Sequence, residues 1–84
     1  MQFKAKVNVM PQKEILDPQG KAVEQAMKQL GFSQVENVRI GKRIEFLVDA
    51  ANRESAWEMV NEAGKGLLAN LIMEDFTVEL EEIV

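Results

Sequence analysis

Histidine and cysteine are both missing from the 84 residues, and together these absences close most ordinary routes to catalysis. Without histidine the chain lacks the commonest general base and metal ligand. Without cysteine it has no thiolate and no disulfide framework. Neither a His/Cys metal cluster nor a Ser–His pair can be assembled. Gly64-Lys65-Gly66 is too short for a phosphate-binding loop and falls at the end of a helical pattern, not its start. Carboxylates remain available for acid–base work. Positive charge is scarce too: ten Lys and Arg stand against fourteen Asp and Glu, a net charge of −4. That balance argues against nucleic acid, whose phosphates call for a basic face. No apolar run approaches the roughly 20 residues of a membrane span, and the N-terminus has no apolar block of the signal-peptide kind. These absences predict a cytoplasmic protein with no nucleic-acid or membrane partner and no catalytic residue, metal or cofactor of its own.

What is present is ordinary for a globular chain, with 46% hydrophobic and 29% charged residues. The length predicts one domain over residues 1–84. A chain this short buries roughly 60–65% of its unfolded surface, so its core is thin and self-association would help it. Phe3, Ala5, Val7 and Val9 alternate with Lys4, Lys6 and Asn8, which predicts a first strand ended by Pro11. In the loop Gln12–Leu16, Ile15 and Leu16 are expected to turn inward. Asp17-Pro18 has the form of a helix start, with Asp17 as N-cap and Pro18 at the first helical position. Val23, Ala26, Met27 and Leu30 recur at helical spacing as a stripe for burial. Gly31 is placed to close that helix in a left-handed cap, with Phe32 folding back on the last turn.

From Val35 to Asp49 two alternating runs meet at Gly41, the pattern of an antiparallel hairpin. A two-residue turn at Gly41-Lys42 would put the two apolar sets on opposite faces. Placing Ile40 opposite Ile44, with Gly41 to Arg43 in the loop, unites Val38, Ile40, Ile44, Phe46 and Val48 on one side. A second helix follows, capped by Asn52, with Ala56, Met59, Val60, Ala63 and Leu67 on its apolar face and Trp57 at the edge. Glu54, Glu58 and Glu62 stack on another face, either solvated or facing a basic partner. Gly64 and Gly66 weaken the helix end and allow a bend or a close approach. Phe76, Val78 and Leu80 alternate in a last strand, and Ile83 and Val84 break the alternation.

The order is β-α-β-β-α-β. Right-handed crossovers bring it most simply to an α+β ferredoxin-like sandwich, one four-stranded antiparallel sheet with two helices on one face. In that topology the first strand lies between the third and the last. Lys4 and Lys6 then neighbour Glu45 on one side and Glu79 and Glu81 on the other, a complementary pattern. Leu47 and Met10 share that outer face. Phe3, Phe46 and Phe76 take the core-facing parity, whereas an RNA-reading version of this fold would carry aromatics outward.

Arg39, Lys42 and Arg43 form the one basic cluster, at the expected hairpin tip; it suits an anionic partner or is a solvated turn. Glu74 and Asp75 could meet a cation, but two adjacent carboxylates fall short of a ligand set. Three stretches carry more than their physics. Leu16-Asp17-Pro18-Gln19-Gly20-Lys21-Ala22-Val23 comes first. Val38-Arg39-Ile40-Gly41-Lys42 with Glu45 is the second, and Leu67-Leu68-Ala69-Asn70 with Ile72 and Glu74-Asp75-Phe76 is the third. In this order and spacing they closely resemble the small PurS subunit family of phosphoribosylformylglycinamidine synthase, across nearly the whole chain.

The resemblance implies a part in the fourth step of purine synthesis. There an ATP-using synthetase converts formylglycinamide ribonucleotide to the amidine with ammonia that a glutaminase releases from glutamine. It implies a small subunit that forms a homodimer or higher homo-oligomer and joins the synthetase and glutaminase subunits without catalytic groups. ATP and Mg are implied for the synthetase partner, none for this chain. Candidate partner contacts are Arg39, Lys42, Arg43, Asn70, Glu74 and Asp75. Two rivals come from other classes. One is a ferredoxin-like regulatory dimer that binds a small molecule between subunits, supported by fold analogy alone. The other is a small hydrolase of acylphosphatase type, for which Met10-Pro11-Gln12-Lys13 lacks the glycine and arginine of an anion-cradling loop.

Overall fold

In the computed structural model residues 1–83 are described; Val84, expected to break the last strand's alternation, lies outside them. Strand β1, Gln2–Pro11, is the centre of the sheet. Its Phe3, Ala5, Val7 and Val9 are fully buried, while Lys4, Lys6 and Asn8 face outward. Strand β2, Lys42–Asp49, and strand β3, Glu74–Ile83, pair antiparallel on either side of it in the order β2-β1-β3. Ala5 stands opposite Phe46 and Leu80, and Val7 opposite Ile44 and Val78, so alternate residues of all three strands build one apolar face. The three phenylalanines take the core-facing side as expected. The last strand is longer than its alternation suggested, since Ile83 pairs with Gln2.

The outer face carries the expected charge ladder. Lys4 reaches Glu45 at 3.4 Å and Lys6 reaches Glu81 at 3.1 Å. The Asn8 amide donates to Glu79 Oε2 at 2.8 Å. Arg43 bridges Glu45 at 2.8 Å and Glu79 at 3.8 Å, across β1. The Arg43 guanidinium, and after it the Lys4 ammonium, hold the Glu45 carboxyl below its usual range. Exposed pairs of this kind add little energy singly, but a one-residue slip would set every one against the wrong neighbour.

Helix α1 spans Pro18–Gln29 and helix α2 spans Arg53–Ala63. Both start as expected. The Asp17 side chain accepts from the Gly20 N–H, and the Asn52 side chain from the Ser55 N–H at 2.8 Å. α1 ends in a Schellman motif: the Gly31 N–H donates to Lys28 O at 3.1 Å and the Phe32 N–H to Met27 O at 3.0 Å. Gly31 sits at φ +103°, the left-handed conformation predicted for it.

Four expectations fail. Among the described residues the sheet has three strands, not four, and the run 35–40 stays out of the ladder. The Ile40–Ile44 hairpin therefore does not form, and Arg43 pairs with Asn8 within the ladder instead of lying in a loop. The two helices also do not share the sheet face. α2 packs on β1 and β3, but α1 makes no more than marginal contact with any strand, so its stripe is not core: Leu30 is 77% exposed. The cause is local, because carboxylates of the α1 region capture the backbone N–H groups that a fourth strand would have offered to the sheet. Ile15 is half-buried and Leu16 is exposed, against the inward turn expected of both.

The fourth failure is at the end of α2. Ala56 and Val60 are buried and Ala63 half-buried as expected, but Leu67 is 83% exposed and Leu68 packs against the core in its place. Residues Gly64–Leu68 form one wide π-type turn, closed by the Ala69 N–H to Gly64 O at 3.0 Å. A wider turn advances each residue through a smaller angle, so the core-facing position falls one residue later. Gly64 makes the turn possible: a Cβ there would lie 2.6 Å from Cε2 of Phe76. Gly64→Ala is expected to destabilise the protein by about 1–3 kcal/mol through overpacking. Urea unfolding checks this. Phe76→Leu, which removes the ring, should make the same glycine change less costly; equal cost in both backgrounds would contradict the contact.

Candidate functional site

β1 ends at Met10-Pro11, and there the three sequence stretches singled out above converge. Gly41 lies directly against Val9 and Met10, where a Cβ would run into the Val9 carbonyl oxygen and the Met10 sulfur. The Gln12 N–H donates to Met73 O at 2.9 Å, and its side-chain amide to Leu71 O at 3.2 Å. Asp17, Ile40, Asn70 and Glu74 line one open cleft of about 320 Å³. A larger one of about 720 Å³ opens beside it between Lys13, Lys21, Glu24 and Arg39.

Asp17 is the hinge of this junction. One carboxylate oxygen accepts from the Gly20 N–H at 3.0 Å and the other from the Ile40 N–H at 2.8 Å. About two turns further along α1, Glu24 Oε1 accepts from the Val38 N–H at 3.2 Å, while Oε2 lies 3.5 Å from the Lys28 ammonium. In extended backbone the N–H groups of residues i and i+2 point the same way, so Val38 and Ile40 both address α1. Asn37, at φ +59°, turns the chain into this run. Gly20 is buried because a Cβ would meet the Val38 carbonyl oxygen and lie 2.6 Å from Asp17 Oδ2. The Gly20 N–H first, and the Ile40 N–H second, hold the Asp17 carboxyl below its usual range, with Arg39 adding to them. For Glu24 the Val38 N–H is the main cause of the same lowering; partial loss of hydration opposes it and Lys28 adds to it.

The expected basic cluster is dispersed. Arg39 faces the larger cleft, Lys42 opens β2 opposite Val9, and Arg43 is held on the outer sheet face by two glutamates. Asn70 and Glu74 are spent on a turn: the Asn70 N–H donates to Glu74 Oε1 at 2.8 Å, and the Ile72 N–H to Asn70 Oδ1 at 3.1 Å. Asp75 lies opposite Met10 on the other face of β3 from Glu74, so the two carboxylates diverge instead of converging on one cation. Arg39, Lys42 and Asp75 make no ion pair among the described residues. Two functional features escaped sequence reading, the second acceptor oxygen of Asp17 and the whole role of Glu24. A carboxylate about two helical turns after a capped Asp-Pro start was their only signal.

The junction is thus a set of carboxylate–backbone ties beside an apolar turn, Leu71–Met73, whose Ile72 is 84% exposed. Such an arrangement orients segments; it does not move protons or electrons. Comparison with known proteins accounts for the motif. The family model described as "PurS: Phosphoribosylformylglycinamidine (FGAM) synthase" matches residues 4–82. The chain belongs to the PurS family. The phosphoribosylformylglycinamidine synthase subunit PurS of Bacillus subtilis is 39% identical over 82 residues, covering 98% of this chain and 96% of that one. The Mycobacterium leprae subunit is 42% identical over 78 residues, covering 93% and 95%. Among solved structures, Thermus thermophilus PurS superposes with a TM-score of 0.88 at 41% identity, over the whole of both chains. A chain in the structure of PurLQS from Thermotoga maritima gives 0.89 at 31% identity, covering 96% of this chain and 99% of that one. The stretches that carried the resemblance to PurS are therefore the ones the fold gathers at the end of β1.

The two lowered carboxyls fix the sign of a pH effect. Each is more acidic in the folded chain than in the unfolded one, so its stabilisation is complete above the ordinary carboxylate value of about 4. It is lost as pH falls below that value toward the folded-state one. Urea midpoints should fall between pH 6 and pH 3, and Asp17→Asn with Glu24→Gln should flatten that acid limb. An unchanged limb in the double variant would contradict the assignment.

Proposed function

We propose that this chain is an accessory subunit of a phosphoribosylformylglycinamidine synthase in de novo purine synthesis. It joins the ATP-dependent synthetase subunit to the glutaminase subunit and supplies no catalytic group. The observation that carries this reading is the family match over residues 4–82 to a chain whose signature stretches meet in backbone ties, not in a reactive cluster. The likeness to a chain of the Thermotoga PurLQS structure supports the pairing with two larger proteins. In this role the chain works in the cytoplasm, consistent with its having no helix among the described residues long and apolar enough to cross a membrane. ATP and magnesium belong to the synthetase.

The candidate contacts divide by what the junction leaves free. Arg39, Lys42 and Asp75 meet the partners directly, since their charges are not consumed within the chain. Asn70 and Glu74 act indirectly by shaping the turn that presents Leu71, Ile72 and Met73, an exposed apolar group of the kind protein partners cover. Arg43 serves the sheet.

The test reconstitutes the two larger subunits with and without this chain and follows amidine formation. Glutamine-driven turnover should depend strongly on the chain, and turnover on a high concentration of added ammonia much less, because free ammonia bypasses delivery between active sites. Equal glutamine-driven rates in both mixtures would refute the role. Arg39→Glu with Lys42→Glu should lower glutamine-driven turnover at least several-fold while leaving the circular-dichroism spectrum unchanged.

A further inference from the structure

Of the ten Lys and Arg, the fold commits half. Lys4, Lys6, Lys28 and Arg43 are held by glutamates, and the Arg53 guanidinium donates to Leu80 O at 3.1 Å. Lys42 and Lys65 stand apart, and the three cations that remain line one place: Lys13, Lys21 and Arg39 border the cleft of about 720 Å³ beside α1. None of the three makes an ion pair among the described residues. The acids of the same wall are mostly spent. Both oxygens of Asp17 accept backbone N–H groups, and Glu24 divides its oxygens between the Val38 N–H and Lys28. Glu14 alone is left against three cations. In a chain of net charge −4 this is a local excess of the opposite sign, and it draws anions.

The three converge because the ties of the junction gather their segments. The Lys21 N–H donates to Asp17 O at 3.0 Å, and Arg39 directly precedes Ile40, whose N–H lies 2.8 Å from the Asp17 carboxylate. Lys13 follows Gln12, which is fixed to the carbonyls of Met73 and Leu71. The cleft does not end at the cations. Ile15, Leu16 and Asp17 also border the neighbouring cleft of about 320 Å³, where Ile40 and Met73 add apolar surface. Along this shared wall Leu16 is 70% exposed, and Met73 beyond it is 47% exposed. The two clefts make one groove with a basic end and an apolar end.

A free inorganic anion would fill the basic end and leave Leu16 and Met73 in water. No aromatic ring lines either cleft to stack on a nucleobase. The chain's own acidic run Glu79–Glu82 is out of reach, since it pairs with Phe3–Lys6 of β1, about 17–27 Å along the strand from Pro11. We propose that the groove receives an extended segment of a partner protein in which acidic residues flank an apolar one. Its carboxylates lie over Lys13, Lys21 and Arg39, and its apolar side chain rests against Leu16, Ile40 and Met73. Such a segment matches both ends at once: charge steers the encounter and fixes the register, and the apolar side chain covers surface that is otherwise wet. This inference rests on the linking role and adds to it a docking groove, two lysines and the chemistry of the segment that fits.

The test uses this chain assembled with the synthetase and glutaminase subunits. A water-soluble carbodiimide joins an amine to a carboxylate only where the two are in contact, and peptide mass spectrometry reads the linked pair. Lys13 or Lys21 should be linked to an Asp or Glu of one of the larger subunits. A complex in which both lysines are linked only within the chain, only to another copy of it, or to nothing would overturn the groove and leave the linking role standing. Failure of the three proteins to assemble would remove the linking role and this inference with it. As a second measurement, Lys21→Glu should weaken assembly several-fold and make it less sensitive to salt. Lys65→Glu, an equal change of charge at an exposed lysine outside the groove, should do neither. Leu16→Asp should weaken assembly from the apolar end, with the circular-dichroism spectrum unchanged because that side chain is exposed. Equal effects of Lys21→Glu and Lys65→Glu, or full-strength assembly with Asp at position 16, would also overturn the proposal.

Discussion

The two oxygens of Asp17 decide what the rest of the chain can be. One closes the first turn of α1 on Gly20, as any N-cap would. The other takes the Ile40 N–H, and that second bond fixes the helix to a segment twenty-three residues away. Once Ile40 and Val38 donate to carboxylates they cannot donate to a neighbouring strand, since each N–H has one proton to give. The sheet therefore stops at three strands, α1 leaves the sheet face, and the apolar stripe of α1 is left outside the protomer's own core. Gly20 and Gly41 go with the same tie, because a Cβ at Gly20 would meet the Val38 carbonyl oxygen and one at Gly41 would meet the end of β1 at Val9 and Met10.

This is also why the sequence was legible in some places and not in others. Period-two alternation in residues 3–9, 44–48 and 76–80 reported strand faces correctly, since a strand buried on one side leaves no other arrangement for those side chains. The order of the strands was legible from charge, as Lys4 and Lys6 can meet Glu45 and Glu81 at once only if β1 is central. Helix caps at Asp17, Gly31 and Asn52 were legible because capping is a local matter. Val35–Ile40 misled for a definite reason: its alternation is real and its backbone run does address one partner, but that partner is a pair of carboxylates. Period two records that a segment is extended, not what receives its N–H groups. Leu67 misled because a single wide turn shifts the helical phase, and Gly64 alone does not announce a π-type turn.

The candidate site was legible as a pattern and not as a mechanism. Leu16–Val23, Val38–Lys42 and Leu67–Phe76 could be recognised together as a family signature without any indication that they touch. The structure shows how they depend on one another: Asp17 needs the backbone of Ile40, Gly41 needs the end of β1, and Gln12 next to that end needs the carbonyls of Leu71 and Met73. A signature of this type marks a geometry that the chain must hold. Reactive side chains would have shown a different pattern, with a nucleophile, base or metal ligand at its centre.

A protein that only holds others in place has its own physical requirement, which is surface. The protomer measures 50 × 29 × 14 Å, a plate about one sheet and one helix thick. A plate of that shape spends few residues on interior and leaves two broad faces, one laddered with paired charges and one apolar and half covered. The charged face keeps the register of the sheet without asking for a partner. The apolar face does ask for one, because about seven buried hydrophobic side chains are a small core against the conformational entropy of ordering more than eighty residues. The junction at the end of β1 is tied by Asp17, and the turn beside it leaves Ile72 84% exposed.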